Sequence, residues 1–126
     1  MPVKRISTEG LEKLLSNQVY VPATSIIKVY SNDCHLCHNL QEYYANIADA
    51  YGEEEGVYFF AYNINDDPSI EKKLNFFGTP TILSVKSTPN GGKKAKVNVL
   101  ADPDPPQKET WYKASEIRDF IEKVKE

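Results

Sequence analysis

Between Ser25 and Tyr51 the chain changes its hydrophobic period abruptly, and both cysteines sit at the change. Ser25-Ile26-Ile27-Lys28-Val29-Tyr30 is rich in β-branched residues and reads as a central strand running directly into Cys34. After it, Cys37, Leu40, Tyr44, Ile47, Ala48 and Tyr51 recur at helical spacing. A long amphipathic helix is therefore predicted from at or just before Cys34, ended by Gly52.

The rest of the chain alternates in the same way. Val3 to Ile6 suits a short edge strand, and Ser7 offers an N-cap to a helix through Leu11, Leu14 and Leu15. Val57 to Ile64 is almost continuously apolar, the pattern of a strand covered on both faces. Asp66-Asp67-Pro68 marks a helix start, with Ile70, Leu74 and Phe77 as its inner stripe and Gly78-Thr79-Pro80 as its break. Two further strands, Thr81 to Val85 and Val97 to Leu100, are joined through the turn-forming Pro89-Asn90-Gly91-Gly92. A Pro-rich link from Ala101 to Gln107 leads to a last helix capped by Ser115, with Ile117, Phe120, Ile121 and Val124 facing inward. The order β-α-β-α-β-α-β-β-α predicts an α/β fold: a mixed central sheet of about five strands, flanked on both faces by about four helices. Its first strands should be parallel through right-handed crossovers, and the closing pair an antiparallel hairpin.

A chain of 126 residues is expected to form a single domain, 1–126, with an extended Pro-rich loop at about 87–110. The net charge of −3 provides no broad basic field, which argues against nucleic acid or an anionic membrane as a partner. No apolar run reaches signal-peptide or membrane-spanning length, so the expected location is the reducing cytoplasm. There a close cysteine pair is more often catalytic or metal-binding than a structural staple.

Cys34-His35-Leu36-Cys37 has a physical consequence at a strand-to-helix turn. The first cysteine meets unpaired backbone N–H groups and the positive end of the helix dipole, which favour thiolate over thiol. The second lies one turn along the same face, close enough to close a disulfide. Cys34 is thus the expected nucleophile and Cys37 the resolving thiol that releases a mixed disulfide. Two other readings compete. Cys34 to His38 literally matches the Cys-x-x-Cys-His signature of covalent haem attachment, but Met1 is the only methionine available as a second axial ligand. A zinc tetrahedron usually draws on two separated knuckles, and no second one exists here. No metal, haem or flavin cofactor is expected.

The ordered motifs resemble the thioredoxin family from Ser25 to about Lys86. An apolar strand precedes Cys-x-x-Cys; Ile47-Ala48-Asp49-Ala50-Tyr51 is similar to the family's Ile-Ala-Asp-x-Tyr, and Asn63-Ile64-Asn65-Asp66-Asp67-Pro68 to its Asn-Ile-Asp-x-Asn-Pro. Gly78-Thr79-Pro80-Thr81 matches the family's Gly-x-Pro-Thr loop, and the last helix fits as well. The resemblance implies a monomeric thiol–disulfide oxidoreductase acting on disulfide-containing proteins and recharged by a thioredoxin-reductase-type or other cellular reductant. It also implies a cis Pro80 facing the cysteines, with the Thr79 backbone offered to an extended substrate peptide. Oxidase or isomerase activity, or a protein-binding module with little redox turnover, are the alternatives.

The chain departs from that pattern at several positions. His35 and Leu36 replace the usual Gly-Pro; a protonated His35 would stabilise the Cys34 thiolate, while the adjacent Asp33 would oppose it. Both His35 and Leu36 are candidates for contact with substrate. Lys28 and Ala61 stand where the family commonly carries a buried acid and a lysine. A charged Lys28 cannot take a proton from Cys37, yet its cation favours thiolates; alternatively its amine snorkels to water. Glu42 stands where the family's long helix has a proline, so that helix should be straighter. Trp111 is expected either to border the substrate groove or to anchor the last helix as a buried side chain.

Overall fold

The computed structural model describes residues 2–52 and 55–126. The elements run β1 (Lys4–Arg5), α1 (Thr8–Leu15), β2 (Ala23–Tyr30), α2 (His35–Asp49), β3 (Val57–Asn63), α3 (Ser69–Lys73), β4 (Thr81–Ser87), β5 (Lys96–Val99) and α4 (Ala114–Val124), with a 3-10 turn at Ile64–Asp66. They form one sheet in the order β1-β3-β2-β4-β5. β1, β3 and β2 are parallel, whereas β4 runs antiparallel to β2 and β5 antiparallel to β4.

β2 lies at the centre because its side chains are apolar on both faces. Ile26 joins Leu40, Tyr44 and Ile47 of α2 and Ile117 and Ile121 of α4 in one core. Ile27 and Val29 join Leu11 of α1 and Ile70 of α3 in the other. Successive strand side chains alternate between faces, so Lys28 shares the α2 face with Ile26. Helices thus cover both sides of a mixed sheet, the architecture expected above. β3 is less enclosed than its apolar run implies. Tyr58, Phe60 and Ala61 are only half-buried, since along its outer edge lies no more than the short β1.

Several boundaries differ from the sequence reading, each for a local reason. α2 ends at Asp49, short of Gly52, with Ala50 as its C-cap; Tyr51 nonetheless packs its ring 5.4 Å from that of Phe59. α3 stops at Lys73, before the Gly-Thr-Pro break, because Asn75 takes a left-handed φ of 58°. Helical spacing fails beyond that point. Phe76, not Phe77, turns inward, and Phe77 is left 92% exposed. α4 is capped not by Ser115 but at Lys113, whose extended backbone lets its N–H donate to Glu116 Oε1 at 2.7 Å. Tyr112 is the fully buried aromatic before that helix; Trp111 packs against the same core while only half-buried.

Candidate active site

Cys34 is the N-cap of α2, with extended backbone (φ −93°, ψ 101°), and its Sγ accepts the Cys37 N–H at 3.0 Å. A β-branched strand ending at Tyr30 and a helical period starting at His35 leave a short turn between them, and Cys34 occupies its last position. The two cysteines are joined as a disulfide, with Cα atoms 5.2 Å apart. Cys34 is half-buried and Cys37 is 3% exposed, so the first sulfur is the accessible one. Of the free amides of the first helical turn, that of Cys37 points at this sulfur.

The turn is held from two sides. Ser31 Oγ lies 3.0 Å from Thr79 Oγ1, which brings the Gly78-Thr79-Pro80 loop against the segment entering Cys34. Asn32 N–H donates to Asn65 Oδ1 at 2.9 Å, Asn63 Nδ2 donates to Asn32 Oδ1 at 2.9 Å, and Asn65 N–H donates to Asn63 Oδ1 at 3.0 Å. These asparagines fix the approach to the helix. Asn63 and Asn65 belong to a motif quoted above, but their bracing of Asn32 was not legible there, because it joins segments far apart in sequence. In the facing loop, the Thr79–Pro80 peptide is cis, Pro80 is buried and Thr79 half-buried. Thr81 Oγ1 donates to Gly78 O at 2.8 Å, and Gly78 N–H donates to Glu71 Oε2 at 2.9 Å. Gly78 has φ +73°, a conformation that L side chains adopt only under strain.

Asp33 and His35 are exposed, flanking Cys34, and Leu36 is half-buried on the first turn. Among the described residues, no group of three or more His, Cys, Asp or Glu side chains gathers to hold a metal. Lys28 lies beneath the site, between Ala61 of β3 and Ile82 of β4 in register. It is 5% exposed, and burial pushes its ammonium down to about 8. The Nζ stands 5.5 Å from the Tyr44 ring centroid and 5.8 Å from that of Tyr30. Tyr44 in turn places its Oη 2.9 Å from the Ile26 and Phe60 carbonyl oxygens, and burial raises its phenol. Small Ala61 opposite Lys28 leaves a cavity of about 610 Å³. Arg5, Lys28, Tyr30, Cys34, Cys37 and His38 contribute to its wall.

The likeness of this arrangement to known proteins is one of architecture. A chain in the crystal structure of a ferredoxin:thioredoxin reductase–thioredoxin f2 complex superposes with a TM-score of 0.70 at 15% identity, over 99% of this chain and 96% of its own. Thioredoxin f from spinach chloroplast (short form) gives 0.69 at 13% identity, over 99% and 95%. The fold is that of thioredoxin. Chloroplastic thioredoxin z superposes at 0.64 with 20% identity, over 98% and 95%. No protein-family model and no curated protein sequence matches the chain. A thioredoxin fold with a cysteine pair joined at the start of α2 is therefore present in a chain whose sequence lies far from these relatives. Among the described residues, no helix is long and apolar enough to cross a membrane.

Proposed function

We propose that the protein is a thiol–disulfide oxidoreductase that reduces disulfides in other proteins. The observation that carries this reading is the Cys34 sulfur capping α2, where it accepts the Cys37 amide. In the dithiol form the same amide and the helix dipole favour an ionised Cys34. The thiolate attacks a substrate disulfide, forms the mixed disulfide and expels one substrate sulfur. Cys37 then attacks Cys34 Sγ, releases the second substrate sulfur and restores the internal disulfide.

In this reading His35, Asp33 and Lys28 tune the sulfurs, and His35, Leu36, Thr79 and Pro80 shape the docking of an extended peptide. The protein works as a monomer in the cytoplasm and receives electrons from a reductase. A ferredoxin:thioredoxin reductase complex is one such arrangement, described for thioredoxin f2. Lys28 favours a second direction. A buried cation in the same cavity wall as Cys37 stabilises thiolate over disulfide, which makes the couple more oxidising and supports oxidase or isomerase work.

Insulin-disulfide reduction by dithiothreitol, with wild type and Cys34→Ser side by side, tests the reading. Acceleration by wild type that Cys34→Ser lacks is expected; equal rates would remove it. The reduction potential of the couple then decides direction, since about 30 mV corresponds to about 1.4 kcal/mol.

A further inference from the structure

The cavity beside the disulfide holds positive charge with no acid in its wall. Val3, Ser31, Asn32, Gln41, Tyr44, Ala45 and Ala61 complete its lining, and none of these is an Asp or Glu. Arg5, exposed at its edge, is paired to Asp66 at 3.1 Å. Lys28 has no such partner. Among the described residues no carboxylate or hydrogen-bond acceptor meets its ammonium, which opens on the cavity beside the ring faces of Tyr44 and Tyr30. An ammonium at the end of a largely buried side chain, without an anion, bears a desolvation penalty that a matching negative group would offset. At about 610 Å³ the space is of small-molecule size. Both cysteines form part of the wall, so a ligand anchored on Lys28 shares the cavity with them.

We propose that this cavity captures the carboxylate of a low-molecular-weight thiol on Lys28, making small carboxylate-bearing thiols reductants of the Cys34–Cys37 disulfide. The inference rests on the oxidoreductase reading and names a class of substrate for the same site. One ammonium matches one singly charged group, and Tyr30, Ser31, Asn32 and Gln41 supply neutral hydrogen-bonding groups around it. The thiolate of the ligand attacks Cys34 Sγ. The S–S bond breaks, and its electron pair goes to Cys37 Sγ, which takes a proton from water. A second ligand thiolate attacks the ligand sulfur of the mixed disulfide and expels the Cys34 thiolate. Two small thiols become one small disulfide, and the two electrons reside in the protein dithiol.

The test compares the rates at which 3-mercaptopropionate and neutral 2-mercaptoethanol reduce the protein disulfide. Each is scaled to the same thiol's rate with bis(2-hydroxyethyl) disulfide. A charge-assisted contact is expected to give 3-mercaptopropionate an advantage of about tenfold, with saturation kinetics. Propionate, which carries the carboxylate without the thiol, is expected to compete. Lys28→Met, which removes the cation, and Ala61→Leu, which fills the cavity, should each collapse the ratio between the two thiols. No advantage in the wild type, no competition by propionate, or an advantage retained in Lys28→Met overturns the proposal. Reduction by 2-mercaptoethanol without that advantage sinks the carboxylate site alone. If neither thiol reduces the disulfide while dithiothreitol does, the inference alone falls; if dithiothreitol fails as well, the oxidoreductase reading falls and takes the inference with it.

Discussion

The amide of Cys37 donates to the sulfur of Cys34 at 3.0 Å, so the cysteine that precedes α2 caps it through its side chain. The second sulfur is nearly enclosed, and in the proposed cycle that asymmetry makes Cys34 the attacking cysteine and Cys37 the resolving one. In the proposed cycle Cys34→Ser abolishes insulin reduction, whereas Cys37→Ser stalls at the mixed disulfide. A Cys37→Ser pull-down should therefore retain several proteins through bonds that dithiothreitol releases. Retention of one partner by a variant lacking both cysteines would instead mark a binding module.

Lys28 makes stability depend on alkaline pH. Its folded value is about 8, below the ordinary value of 10.5, so between these pH values the unfolded chain binds more protons than the folded one. The folded state therefore gains stability as pH rises through that window, and below it the buried charge costs about 3 kcal/mol. Lys28→Met is expected to be more stable than wild type at pH 7, by about 2–3 kcal/mol, and to lose the rise between pH 8 and 10. Above that range Tyr112, whose phenol burial raises to about 12, acts in the opposite sense. Urea denaturation across pH 7 to 10 checks this; parallel profiles for the two proteins would contradict it.

Neighbouring phenylalanines should behave in opposite ways. Phe76 is 7% exposed within the α1–α3 core, and Phe76→Ala is expected to cost about 3 kcal/mol in denaturant melts. Phe77 is 92% exposed just before the Gly78-Thr79-Pro80 loop, so Phe77→Ser should stay within about 0.5 kcal/mol of wild type. If peptides dock along that loop, Phe77→Ser raises KM for insulin while stability holds. An equal loss of stability in both variants would contradict the assignment.

Gly78 isolates a backbone effect. A Cβ there meets nothing within 4 Å, so the cost of Gly78→Ala comes from its φ of +73° alone. A loss of about 1 kcal/mol is expected, read as a lower denaturant midpoint with unchanged slope. A neutral substitution would mean that the loop relaxes elsewhere.

The strand, cysteine pair and long helix were legible because each rests on a local period: β-branched residues to Tyr30, then Cys37, Leu40, Tyr44 and Ile47 along one helical face. A buried position for Lys28 was implied by the resemblance, which sets a buried acid there, with a snorkelling amine left as the alternative. The cavity beside it did not, because it depends on Ala61 standing opposite in register, a pairing between residues far apart in sequence. Phe77 was misassigned to the core because one left-handed residue, Asn75, ends the helical phase. The bracing by Asn32, Asn63 and Asn65 was hidden for a similar reason, since it exists only once two loops meet.

The most direct measurement is the titration of Cys34 in the reduced protein, followed through the pH dependence of its alkylation by iodoacetamide with Cys37→Ser as background. Ionisation at least one unit below the free-cysteine value of about 8.5 is expected. A midpoint at or above that value would mean that the helix terminus does not activate this sulfur, and would contradict the account.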